Sequence, residues 1–254
     1  MPQYLLTLAY LGSAYCGFQV QPNGVSIQKT VQDALDSLYG VRPDVRGCSR
    51  TDAGVHAKDF KLTFQMQPDL PDVPDIPAQK LPAALNRYLP EDISVLSCRV
   101  VPDTFHVRYD VLKKTYEYRI FPSHVRDPFI SGRAWQYPGS PDLERMQRAA
   151  DRFCGEHDFS AFMASGSAVE DTVRTVYSAD VIREGREVVF RVCADGFLYH
   201  MVRIMAGTLC EVSEGKIDPE DIPEILASKD RKNAGRTAPA EGLYLLSVEY
   251  GEID

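Results

Sequence analysis

No stretch of the 254 residues approaches the ~20 consecutive apolar residues of a membrane-spanning helix. The opening Met1-Pro2-Gln3-Tyr4 has neither a basic segment nor a long apolar one, so no export signal is expected. None of the six cysteines (Cys16, Cys48, Cys98, Cys154, Cys193, Cys210) forms a CxxC pair, and no Cys/His grouping has zinc-finger spacing. They are read as free thiols, which places the chain in a reducing cytoplasm. No repeat of about 20–50 residues is evident, which excludes a solenoid. Positive charge is also scarce. With 28 Lys and Arg against 36 Asp and Glu, the net charge is −8. A non-specific nucleic-acid binder carries a basic excess, so an RNA partner would need positive charge gathered locally.

Two runs could gather it. Arg108 to Arg133 holds six basic residues (Arg108, Lys113, Lys114, Arg119, Arg126, Arg133) against Asp110, Glu117 and Asp127. Lys229 to Arg236 holds Lys229, Arg231, Lys232 and Arg236 against Asp230. Taken singly, each of these residues reads as part of a solvated face. Apolar content of 44% and charged content of 25% are ordinary for a soluble globular protein, and the length suits one large domain or two smaller ones.

Periodicity predicts the elements. Residues 4–10 read as a strand, and Ile27, Val31, Leu35 and Leu38 as a helix stopped by Gly40. Phe60 to Met66 alternates as a half-buried strand. Five prolines between 67 and 82 predict an extended surface loop. A helix at about 81–88, a strand at 93–101 and a strand within 105–121 follow. Ser140-Pro141 is the expected N-cap and N1 of a helix carrying Leu143, Met146, Ala150 and Phe153. A hairpin at 176–194, a helix from Leu198 to about Glu211, a short helix at Asp218-Pro219 and a strand at 243–250 complete the chain. The expected class is α/β of the α+β type. Two subdomains, 1–106 and 107–254, with largely antiparallel sheets are expected to meet at a cleft.

One stretch stands apart: Gly47-Cys48-Ser49-Arg50-Thr51-Asp52-Ala53-Gly54-Val55-His56-Ala57. It is too polar and glycine-rich for a core element, and it lies between a predicted helix and a predicted strand. Composition alone reads it as a surface loop. Its order, Arg-Thr-Asp-Ala-Gly-Val-His, resembles the signature of the TruA-type tRNA pseudouridine synthase family. Further blocks resemble that family in order: Gly12-Ser13 with Gly17-Phe18-Gln19 and Ile27-Gln28; Asn86 to Ile93; Phe105-His106-Val107-Arg108; Lys114 to Tyr118; His157-Asp158-Phe159; His200-Met201-Val202-Arg203; and Glu241 to Leu245. The chain departs from the pattern at Leu11, where aspartate is usual, at Phe18, where tryptophan is usual, and at Lys58-Asp59-Phe60, which replaces Gly-Gln.

The resemblance implies the pseudouridine synthase fold and a homodimer acting on tRNA at anticodon stem-loop positions 38, 39 or 40. It implies that Asp52 is the catalytic carboxylate, with Arg203 as its ion-pair partner and Tyr116 as a stacking platform for the uracil. Arg50 would contact the RNA backbone or fill the vacated base position, and Leu243 would form an apolar wall or simply lie in the core. His56 and His200 are further candidates for RNA contact. The isomerisation involves no redox change and no net hydrolysis, so no cofactor and no metal are expected. Whether Asp52 attacks C1′, adds to C6 or takes a sugar proton stays open. The other readings are an RNA-binding module without turnover and a metal-dependent hydrolase using Asp52 and His56.

Overall fold

A computed structural model describes residues 2–22, 24–66, 74–166 and 169–253. Among these residues, ten strands form: β1 (Gln3–Tyr10), β2 (Val45–Gly47), β3 (His56–Gln65), β4 (Ile93–Val101), β5 (Val111–Pro122), β6 (Trp135–Tyr137), β7 (Gly155–Asp158), β8 (Val173–Glu184), β9 (Glu187–Ala194) and β10 (Leu243–Tyr250). The α-helices are α1 (Ile27–Tyr39), α2 (Leu81–Leu85), α3 (Leu143–Asp151), α4 (Met201–Ser213) and α5 (Ile222–Ser228). None of the described helices is long and apolar enough to cross a membrane. None of the six cysteines is in a disulfide.

The chain divides into two compact units, 1–112 with 245–254, and 113–244. This differs from the division expected at 106/107. The chain leaves the first unit just inside β5, and most of the closing strand returns to it. Residues 102–110 form turns instead of the expected strand start, with Phe105 packed edge-on against Tyr250 at 5.0 Å.

In the first unit the strand order is β4-β1-β3-β10, with β2 also beside β3. β1 is antiparallel to both neighbours, and Leu6 faces Leu62 on one side and Cys98 on the other. Helix α1 follows from local signals. Ser26 caps it by accepting the Lys29 N–H, and Gly40, at φ 71°, ends it in the left-handed conformation that glycine adopts without penalty. Ile27, Val31, Ala34, Leu35 and Tyr39 form its buried stripe; Tyr39, not Leu38, completes it. Part of the expected proline-rich loop, residues 67–73, lies outside the described residues. The part that follows it is shorter than expected, because a 3₁₀ turn at Ala78–Lys80 leads directly into α2. Pro82 fits in the first turn of that helix, where an N–H has no partner to lose.

In the second unit the order is β5-β9-β8-β7, antiparallel throughout, with β6 parallel to β5. β8 and β9 form the expected hairpin, longer than its apolar core because the pairing extends to Glu184 and Glu187. Helix α3 is capped by Asp142, whose carboxylate accepts the Arg145 N–H at 3.1 Å, and not by Ser140-Pro141. An ionised cap outcompetes a hydroxyl two residues earlier. Helix α4 is buried around most of its circumference, from Met201 to Val212.

Candidate functional site

The loop between β2 and β3 carries Asp52. Thr51 is buried, and its hydroxyl meets the Tyr10 hydroxyl at 2.8 Å. Its carbonyl accepts the Phe18 N–H at 3.0 Å. After Asp52 the backbone turns, with the Val55 N–H donating to the Asp52 carbonyl at 3.2 Å and Gly54 at φ 82°. His56 is completely buried, and its Nδ1 accepts the Gly12 N–H at 2.9 Å. Since the backbone N–H can only donate, Nδ1 carries no proton. His56 is therefore a pin holding the loop to the first strand's exit, which corrects the expectation that it reaches RNA. Asp52 itself is partly exposed and Arg50 is exposed.

The segment Gly12–Phe18 forms the other wall of the loop. A Cβ on Gly12 would lie 1.9 Å from the Val55 carbonyl oxygen, and one on Gly17 would lie 2.5 Å from that of Thr51. Only glycine permits the two backbones to approach this closely. Phe18 stacks on Phe60 at 4.4 Å, so two of the departures from the family pattern are mutual packing partners. A third, Asp59, accepts the Val248 N–H at 3.0 Å and ties β3 to the closing strand. Asp52 thus sits on a turn held on both flanks, as a reacting carboxylate requires if its geometry is to be set before substrate arrives.

The second unit holds Tyr116, Arg203 and Leu243. Tyr116, on β5 opposite Val192, is buried to 7% exposure, with the Phe197 ring edge-on at 5.0 Å. Arg203 lies in the first turn of α4. Its Nε donates to the Ala238 carbonyl at 2.8 Å, and its own carbonyl accepts the Ala238 N–H at 3.0 Å. The Nε bond fixes the plane of the guanidinium. The irregular segment that supplies Ala238 presses on α4 where Gly207 leaves room; a Cβ there would lie 1.8 Å from the Arg236 carbonyl oxygen. The same segment continues past Pro239, whose carbonyl accepts the Tyr118 hydroxyl at 2.7 Å, to the buried Leu243. Arg203 lies near enough to act on the Tyr118 phenol, which burial nevertheless pushes well above its usual range. Segment 236–243 therefore links Arg203 and Leu243 to β5, the strand that also carries Tyr116. His200 begins α4 in the left-handed conformation, φ 61°, with its ring against Tyr199 at 3.9 Å. This is a strained backbone that no periodicity signals. Among the described residues, no three His, Cys, Asp or Glu side chains gather as metal ligands.

The two basic runs divide differently from expectation. Of the second, Lys229 pairs with Asp158 at 2.8 Å, Arg231 bonds the Ala234 carbonyl and the Thr237 hydroxyl, and Arg236 pairs with Glu214 and Glu211. That run is chiefly internal scaffolding. Glu214 also accepts from Tyr137 at 2.6 Å and pairs with Lys216 at 2.6 Å. Burial alone would raise its carboxyl, but these partners hold it down to about 2 against an ordinary 4.5. A depressed carboxyl stabilises the fold above its unfolded value and loses that contribution as pH falls towards the folded one. In urea unfolding, Glu214→Gln should therefore be less stable than wild type at pH 7, with the gap closing from about pH 4.5 downwards; a gap independent of pH would refute this. Of the first run, Arg119 is consumed by a buried cluster. Glu117, at 0% exposure, meets Arg119 at 2.8 Å and Arg191 at 3.4 Å, and these arginines also hold Glu184 and Glu187.

A family model described as tRNA pseudouridine synthase matches residues 149–251. A tRNA pseudouridine synthase A of Caldicellulosiruptor bescii is 42% identical over 250 residues, covering 98% of this chain and 100% of that one. One of Acetivibrio thermocellus is 44% identical over 245 residues, covering 96% and 98%. One of an Exiguobacterium species is 41% identical over 254 residues, covering the whole of both.

Proposed function

The chain belongs to the tRNA pseudouridine synthase family of RNA-modifying isomerases, and on that premise we propose that Asp52 is its catalytic carboxylate and that its targets are uridines 38, 39 and 40 of the anticodon stem-loop. The reaction breaks the C1′–N1 bond, turns the uracil and joins C1′ to C5. The hydrogen on C5 leaves as a proton and N1 gains one, so atoms and electrons balance within the nucleotide and water. A carboxylate meets the demand for a nucleophile or base, and exclusion of water protects the detached base.

The observation that carries the reading is the placement of Asp52, partly exposed on a turn fixed by Thr51 on one side and His56 on the other. The remaining roles rest on the motif match. Arg203 pairs with the carboxylate, Tyr116 stacks on the uracil, Leu243 walls the base and Arg50 meets the RNA backbone. A homodimer and a cytoplasmic location belong to the same reading, and six cysteines without a disulfide support the latter.

Tritium release from tRNA transcripts carrying 5-³H-uridine tests it. Wild type releases label as the C1′–C5 bond forms. Asp52→Ala and Asp52→Asn should slow release by at least about 100-fold, the lower bound for removing an acid–base or nucleophilic group, while unfolding at the wild-type midpoint. Release that persists in both variants would remove Asp52 from the chemistry. Mapping the modified nucleotides outside 38–40 would overturn the target assignment.

A further inference from the structure

The loop between β5 and β6 carries an exposure that packing does not explain. Phe129 is 87% exposed, the most of any large apolar side chain among the described residues, and Val125 is 75% exposed. The backbone beneath them is firmly held. The Asp127 carboxylate accepts the Phe129 N–H at 3.0 Å, and the Asp127 carbonyl accepts the N–H groups of Ile130 and Ser131. The Ser123 hydroxyl bonds both the N–H and the carbonyl of Val125, and the Arg133 carbonyl accepts the Tyr244 hydroxyl at 2.6 Å. An apolar ring presented on a fixed turn loses little entropy when it is covered.

The surroundings are cationic in a chain of net charge −8. Arg126 and Arg133 are exposed and have no ion-pair partner among the described residues. Arg186, from the β8–β9 turn, lies over the Phe121 ring at 4.7 Å and reaches the Asp127 carboxylate at 3.1 Å. That carboxylate is the only acidic group of the loop, and it is already paired. Glu184 and Glu187, at the neighbouring hairpin end, are taken up by Arg119 and Arg191. An unpaired aromatic flanked by unpaired guanidinium groups suits a polyanion with accessible base faces. It suits a second copy of the chain poorly, because a two-fold contact centred here would set like charges against each other.

We propose that residues 123–133 form a second RNA contact, in which Phe129 stacks on a nucleobase and Arg126 and Arg133 neutralise adjacent phosphates. The proposal rests on the reading of this chain as an enzyme of tRNA. Tyr116 is buried at 7% exposure whereas Phe129 stands 87% exposed on the loop, so the proposal gives the two rings different bases: the loop takes another, unpaired one of the same tRNA.

Fluorescence anisotropy with an end-labelled tRNA transcript tests this on Phe129→Ala, Phe129→Leu, Phe129→Trp and the double variant Arg126→Ala/Arg133→Ala. Loss of stacking should weaken binding by about 5- to 100-fold in the alanine and leucine variants, while tryptophan restores it. The arginine double variant should reduce the slope of log affinity against log salt by about 1–2. Leucine keeps the apolar contact but not the aromatic face, so wild-type affinity in Phe129→Leu with loss in Phe129→Ala would overturn stacking. Unchanged affinity in Phe129→Ala would overturn the contact altogether. Sedimentation velocity showing that Phe129→Ala alters the oligomer without altering RNA affinity would replace RNA by a second copy. Tritium release by wild type on the same transcript is scored separately, so failure of the enzymatic reading is distinguishable from failure of this one.

Discussion

Gly12→Ala should lose about 3 kcal/mol or more of unfolding free energy in urea titration, and tritium release should fall with it. The added Cβ would sit 1.9 Å from the Val55 carbonyl oxygen and 2.7 Å from its carbon. Both are backbone atoms, so no rotamer change relieves the clash. Forced repacking of a tight site costs about 1–3 kcal/mol. Separating the two segments also breaks the bond from Gly12 to the buried His56, and an unsatisfied buried polar group adds about 1–3 kcal/mol. Gly185→Ala supplies the contrast. Gly185 has φ 59° and no neighbour within 4 Å of an added Cβ, so it should cost only the left-handed penalty of about 1–2 kcal/mol and leave release per folded molecule intact. A Gly12→Ala protein within 1 kcal/mol of wild type would mean that the loop bearing Asp52 yields easily, against the close approach described above.

Arg119→Ala should cost about 3–5 kcal/mol. Its guanidinium bonds Glu117 and Glu187, each at 2.8 Å. Without it, the fully buried Glu117 loses its shorter ion pair and is left with the longer one to Arg191 at 3.4 Å, in a cluster that then has one arginine for three glutamates. Removing one member of a buried ion pair leaves the remaining charge under-compensated in a place that water does not reach. Replacing the pair together, as Arg119→Met with Glu117→Leu, should recover a substantial part of the loss, because apolar groups of similar size carry no desolvation penalty. Urea midpoints of the two single variants and the double variant close the cycle. Additive losses would show that the pair does not couple.

The contrast between these sites explains what the sequence made legible. Helix α1 announces itself because its stripe, its serine cap and its glycine stop are all local. Strands β4 and β10 were bounded correctly by their apolar runs for the same reason. The loop of Asp52 was legible from residue order. What was not legible depends on residues far apart in the chain. Gly12 and Val55 meet across more than forty residues, as Glu117 and Arg191 do across seventy-four, and no window of sequence contains both partners. Arg119 looked like free positive charge for that reason, whereas Phe129 gave no signal at all, since an exposed phenylalanine and a core one are spelled alike.

The closing strand has a consequence for the order in which the protein can be made. Residues 245–254 belong with residues 1–112, and β10 lies beside β3. A ribosome that has finished the first 112 residues must still translate the 132 residues from 113 to 244 before the missing neighbour of β3 exists. At about 5–20 residues per second that interval is roughly 7–26 s, far longer than local strand pairing needs. Throughout it the nascent chain carries an open edge beside Asp59, the acceptor that later receives Val248. A charged side chain on that edge discourages pairing with the wrong strand, so the carboxylate that fastens the finished unit also guards the unfinished one.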